Sequence, residues 1–75
     1  MKIMIELIAM GRDGETAMEV HAGTTADSLL DDLGLGLGET LMTMINGQPV
    51  TPGERATHRL AEGDSVKFFP PLEGG

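Results

Sequence analysis

The chain has 75 residues, a formal charge of −7 and no cysteine. One domain is the most such a length holds, and a domain this small buries only about 60% of the surface its unfolded chain exposes. The lack of cysteine excludes disulfides, thiolate-held zinc, iron–sulfur clusters and a cysteine nucleophile, while twelve acidic residues against five basic ones would be repelled by nucleic-acid phosphates and anionic membranes.

Met1-Lys2 leads directly into an alternating pattern, and no apolar run approaches the ~20 residues of a membrane span. A cytoplasmic protein without a signal peptide is therefore expected. Residues 2–10 put Ile3, Ile5, Leu7 and Ala9 on one face, the period of a strand. Arg12-Asp13-Gly14 reads as a turn. Residues 15–20 alternate again, with Thr16, Met18 and Val20 opposing Glu15 and Glu19, so the first two segments form a predicted hairpin.

Thr24 or Thr25 is a predicted helix N-cap, with Asp27 favourably placed in the first turn. Ala26, Leu29, Leu30 and Leu33 make one apolar stripe over 25–33, and Gly34 suits the residue after the helix. A helix of about nine residues is unstable alone, so its leucines must dock on the sheet. Residues 34–38 form a glycine-rich link. Leu41–Ile45 is a predicted third strand, Asn46-Gly47 a tight hairpin turn, and a short fourth strand near Val50 is expected to stop at Pro52-Gly53. A further turn lies at 60–64. Ser65–Phe69 is the last predicted strand, Val66 and Phe68 inward, and Pro70-Pro71 ends it because proline cannot donate to a ladder. The order of elements predicts a single α+β domain over 1–75, a mixed sheet of four to five strands with one main helix on one face. Residues 70–75 are expected to be an extended, flexible tail.

That tail is the candidate site. A strand end, two prolines and a terminal Gly74-Gly75 are hard to ascribe to a frayed end alone. A terminal carboxylate is a poor electrophile until it becomes an acyl-adenylate, which can then accept sulfur or an amine. Glycine has no Cβ to obstruct a narrow channel. Cations of a partner, or magnesium, would have to neutralise the carboxylate and the phosphates of ATP.

Phe68-Phe69-Pro70-Pro71-Leu72-Glu73-Gly74-Gly75, preceded by Leu60-Ala61-Glu62-Gly63-Asp64-Ser65-Val66, resembles the end of MoaD, the small subunit of molybdopterin synthase. More broadly it is similar to the MoaD/ThiS sulfur carriers of ubiquitin-like β-grasp fold. The resemblance implies that the first and last strands pair in parallel at the sheet centre. It also implies adenylation of Gly75 by an E1-like adenylyltransferase of MoeB or ThiF type, which uses ATP and Mg. A sulfur-donor protein then makes a thiocarboxylate for a large synthase subunit of MoaE type or another acceptor. The chain itself would hold no cofactor or metal and would catalyse nothing. Gly75 would carry the sulfur, Gly74 give clearance, and Phe69, Pro70, Pro71, Leu72 and Glu73 meet the partner. Molybdopterin synthesis is the expected destination; thiazole or another metabolite is the alternative, and conjugation to lysines a third reading. Glu73 stands where MoaD tails often have a small residue, and the link at 34–40 is short for MoaD.

Other features have plainer readings. Gly34–Gly38 lacks the spacing and the lysine of a phosphate loop. His21 and His58 have no ligand cluster. The methionines suit adaptable packing, and Asp31-Asp32 a solvated helix face. Phe69, alternating outward from Phe68, is either a contact anchor or packing under the tail.

Overall fold

The computed structural model describes residues 1–8, 12–34 and 41–70. Its elements are β1 (Lys2–Leu7), β2 (Arg12–Glu19), α1 (Ala26–Asp32), β3 (Met42–Ile45), β4 (Gln48–Val50), α2 (Pro52–Thr57) and β5 (Ser65–Phe69). The strands form one sheet in the order β2-β1-β5-β3-β4. β1 and β5 run parallel at its centre, from Met4 opposite Ser65 to Leu7 opposite Phe68. The other three pairings are antiparallel.

The inner face follows from the alternation. Ile3, Ile5, Leu7, Ile45, Val66 and Phe68 point one way and bury against Ala26, Leu29 and Leu30 of α1, with Leu41 and Leu60 completing the core. Thr25 caps α1 by accepting from the Ser28 amide, and Gly34 follows the helix at φ +72°. Asn46 and Gly47, at φ +52° and +80°, close the β3–β4 hairpin. The Asn46 amide group then ties that hairpin to the start of β5. Its Nδ2 donates to Asp64 (2.9 Å), and its Oδ1 accepts from the Ser65 amide (2.9 Å).

Three sequence expectations need correction. Arg12-Asp13-Gly14 is not a turn but the beginning of β2. Gly14 sits there at φ +103°, beside a register shift between Ile5 and Leu7, and its amide donates to the Glu6 carboxylate (3.2 Å). The glycine marks an irregularity within a strand, a role it fills as readily as a turn. The first strand ends at Leu7 and not at residue 10; Ile8 lies in a turn, and residues 9 and 10 are outside the described residues, as are 35–40 of the glycine-rich link. Finally, the fourth strand does end before Pro52-Gly53, but these residues open a second helix, α2, where one main helix was expected. Thr51 accepts from the Glu54 amide while the Glu54 side chain accepts from the Thr51 amide, with Pro52 in the first turn. That reciprocal cap was readable as Thr-x-x-Glu; the Pro-Gly pair inside it obscured the reading.

Arg55 of α2 is the one buried charge among the described residues, 4% exposed. Its guanidinium donates to Asp27 of α1 and to the carbonyl of Leu41 just before β3. One planar group thereby fixes both helices to the sheet.

Candidate functional site

The site is built outward from β5. Because β1 and β3 flank it, this strand is bonded on both sides almost to its end. The Ile8 amide donates to the Phe68 carbonyl (2.9 Å), and Phe69 pairs with Met42. Val66 and Phe68 are fully buried. Pro70 follows directly, exposed and without an amide hydrogen. The described chain therefore leaves the sheet from its most constrained strand, and at a residue that cannot extend the ladder. Pro71, Leu72, Glu73, Gly74 and Gly75 lie outside the described residues. Of the candidate residues, the structure describes Phe69 and Pro70.

Around Phe69 the outward face of the sheet is apolar. Across-strand partners share a face, so Phe69 stands with Met42, and Lys67 with Met44, while Pro49 flanks Met44 on β4. Met42 is 44% exposed, an unusual value for a large apolar side chain. A cavity of about 340 Å³ opens here, lined among others by Leu41, Met42, Met44, Pro52 and Phe69. Phe69 is half-buried in it. Phe69 pairs with Met42 across the strands and faces outward with it. Sequence reasoning missed Met42 and Met44 as members of this surface, because strand methionines look alike until the register assigns their face. Further along, the Lys67 ammonium lies 3.7 Å from the Glu6 carboxylate, a polar border to the patch.

The remaining candidates stay apart from this place. His21 and His58 are exposed, and among the described residues no group of three His, Cys, Asp or Glu could hold a metal ion. Asp31 and Asp32 are exposed on α1, as expected. No helix among the described residues is long and apolar enough to cross a membrane. The Glu54 carboxyl is held below its ordinary value of 4.5, first by the hydrogen bond from the Thr51 amide and then by the Thr51 hydroxyl; this belongs to the α2 cap.

Comparison with known proteins agrees with this architecture. Residues 5–75 match the ThiS family. No curated protein matches. Among solved structures, the Haloferax volcanii HVO 2177 protein is 22% identical with a TM-score of 0.81, over 100% of this chain and 87% of the other. The thiamine biosynthesis protein ThiS from Geobacter metallireducens is 17% identical with a TM-score of 0.69, over 96% of this chain and 99% of its own. A complex of subunits 1 and 2 of the molybdopterin-converting factor from Helicobacter pylori contains a chain 19% identical, TM-score 0.66, covered in full in both directions. At these identities the likeness is one of fold: a mixed five-stranded sheet with helices on one face, the ubiquitin-like β-grasp.

Proposed function

This chain belongs to the ThiS family, whose members are small carrier proteins and not enzymes, and we propose that it carries sulfur on the carboxylate of Gly75. The reaction runs in three displacements. The Gly75 carboxylate attacks the α-phosphorus of ATP in an E1-like partner, releasing pyrophosphate and leaving an acyl-adenylate. The terminal sulfur of a donor protein's persulfide then attacks the acyl carbon and expels AMP, and a thiol reductant cleaves the resulting S–S bond, leaving the thiocarboxylate on Gly75 and a mixed disulfide on the donor. Magnesium and partner cations balance the negative charge of the phosphates.

The observation that carries this reading is the root of the tail: a doubly paired central strand ending at Phe69, then exposed Pro70. Beyond it the sequence has five more residues (75 − 70), which span at most roughly 17 Å when extended. That is a suitable length for a terminus that must enter another protein's nucleotide site while the folded body stays outside. The half-exposed Met42 and Phe69 beside the root suit an apolar contact with that partner.

The family match favours a ThiS-like destination, a thiazole or another small metabolite, over the molybdopterin destination expected from the tail. The Phe68-Phe69-Pro70-Pro71 ending and the likeness to a chain of the Helicobacter pylori complex support molybdopterin as the second reading, with a MoaE-type large subunit as acceptor. ATP–pyrophosphate exchange tests the carrier step. The chain is expected to support exchange with its E1-like adenylyltransferase, and Gly74→Val to support little, because a β-branched side chain restricts the backbone that must thread the channel. Full exchange with Gly74→Val would contradict threading of the tail. Supplying the thiocarboxylate form to a thiazole-forming enzyme or to a MoaE-type subunit then distinguishes the two destinations.

A further inference from the structure

We propose that the edge of β2, which no described strand covers, is with the groove beneath it a second docking site, which takes an extended peptide of alternating apolar and basic residues from a partner protein. The sheet has two edges. β4 is three residues long and contains Pro49, so it offers little to a new strand. β2 is eight residues long, and from Gly14 to Ala17 it is exposed.

The ladder shows which groups it offers. Met1 and Val20 exchange both backbone bonds, each 2.8 Å. Bonded and non-bonded pairs alternate along antiparallel strands. Lys2 opposite Glu19 and Met4 opposite Ala17 are therefore non-bonded pairs, and Ala17 and Glu19 turn their N–H and C=O away from β1. A strand added along this side would take up these groups, the recognition mode of β-augmentation.

The two faces of that edge differ in chemistry. On the helix side a cavity of about 160 Å³ is lined by Ile5, Leu7, Gly14, Thr16, Met18 and Leu33. Every second side chain of an added strand would enter it, and these should be apolar. The other side chains would lie toward Glu19 and toward exposed Glu15, whose carboxylate also accepts from the Ser65 hydroxyl across β1 (3.0 Å). The Glu19 side chain is 74% exposed and pairs with the Met1 ammonium at 3.2 Å. Exposed Asp32 adjoins Leu33, and the whole chain carries −7. Opposite charges directly across strands are favourable and like charges are not, so the alternate residues should be Lys or Arg. β1 separates this edge from β5, and the groove lies on the helix face while Met42 and Phe69 lie on the other. A partner could hold the carrier here while the tail is engaged elsewhere. Binding at this edge does not depend on the chemistry of Gly75.

The test is an NMR titration of the ¹⁵N-labelled full chain with the capped peptide Lys-Val-Lys-Val-Lys-Val-Lys. Saturable shifts are expected at Thr16, Ala17, Met18 and Leu33, weakened by added salt, with none from the counterpart in which Glu replaces Lys. Glu15→Lys with Glu19→Lys should weaken binding roughly fivefold or more. Ala17→Pro removes an outward amide without touching the β1 ladder and should abolish binding. If that variant folds poorly, N-methylation of alternate peptide residues removes the same bonds from the other partner. Shifts on the Met42–Phe69 face instead, no shifts at all, or binding indifferent to Ala17→Pro and to N-methylation would each overturn the proposal.

Discussion

Glu54 makes the α2 cap sensitive to acid. Its carboxyl is held below the ordinary 4.5 by the Thr51 amide and hydroxyl. A lowered folded-state pKa contributes stability that is present above the unfolded value and lost as the pH falls through the folded one. Wild type should therefore lose this contribution below pH 4.5, whereas Glu54→Gln, which keeps an acceptor at the same place in the cap, should show a flatter decline there. Urea midpoints at neutral and acid pH decide it; parallel declines would contradict the assignment. Arg55 makes a heavier contribution. Arg55→Met would leave the Leu41 carbonyl without its donor and release Asp27, for a loss of about 1.5–3 kcal/mol. Asp27 is 41% exposed and stays solvated, so the larger penalty of a stranded buried charge does not apply. A loss under about 0.5 kcal/mol in chemical denaturation would remove Arg55 from this role. Neither residue was singled out in the sequence for what it does here. Glu54 needed the Thr-x-x-Glu spacing to be weighed above Pro-Gly, and a buried arginine has no local signature.

The elements were legible where one period dominates. The leucine stripe of α1, the Asn46-Gly47 hairpin and β5 all lie where the pattern puts them, because each buries one regular face. β2 was read short and α2 missed where glycine intervenes, since Gly14 and Gly53 serve inside elements they usually interrupt. Three substitutions test the helices. Leu29→Ala should lose about 2–5 kcal/mol, as Leu29 is fully buried in the core. Leu33→Ala should lose less, because Leu33 caps α1 and only partly packs on the core. Equal losses in urea titrations would mean that the end of α1 docks more deeply than described. In α2, Gly53 has no left-handed backbone, and the nearest neighbour of a methyl added there would be the Thr51 hydroxyl at 4.0 Å. Gly53→Ala should therefore raise stability by about 0.4–1 kcal/mol; a fall in the melting temperature would show strain that the backbone angles do not.

At the scale of the whole molecule, periodicity alone could not order the strands. The parallel pairing of β1 with β5 joins strands from opposite ends of the chain, and it was expected only through resemblance to the MoaD/ThiS carriers. That pairing puts β5 in the middle of the sheet, bonded on both sides up to Phe69. The proposal for the chain end rests on the sequence, where Pro70, Pro71, Gly74 and Gly75 follow the last strand. The destination of the sulfur was not legible, because the identity of an acceptor is set on the partner's surface. The carrier function stands or falls with sulfur on Gly75, and this is read from the intact mass of the chain after incubation with its E1-like enzyme, ATP, Mg and a sulfur donor. Wild type should exchange one terminal oxygen for sulfur, and a variant lacking Gly74-Gly75, whose thermal unfolding is otherwise near normal, should not. The same sulfur gain in the shortened chain, or no gain in wild type under conditions where the enzyme is active, would refute the assignment.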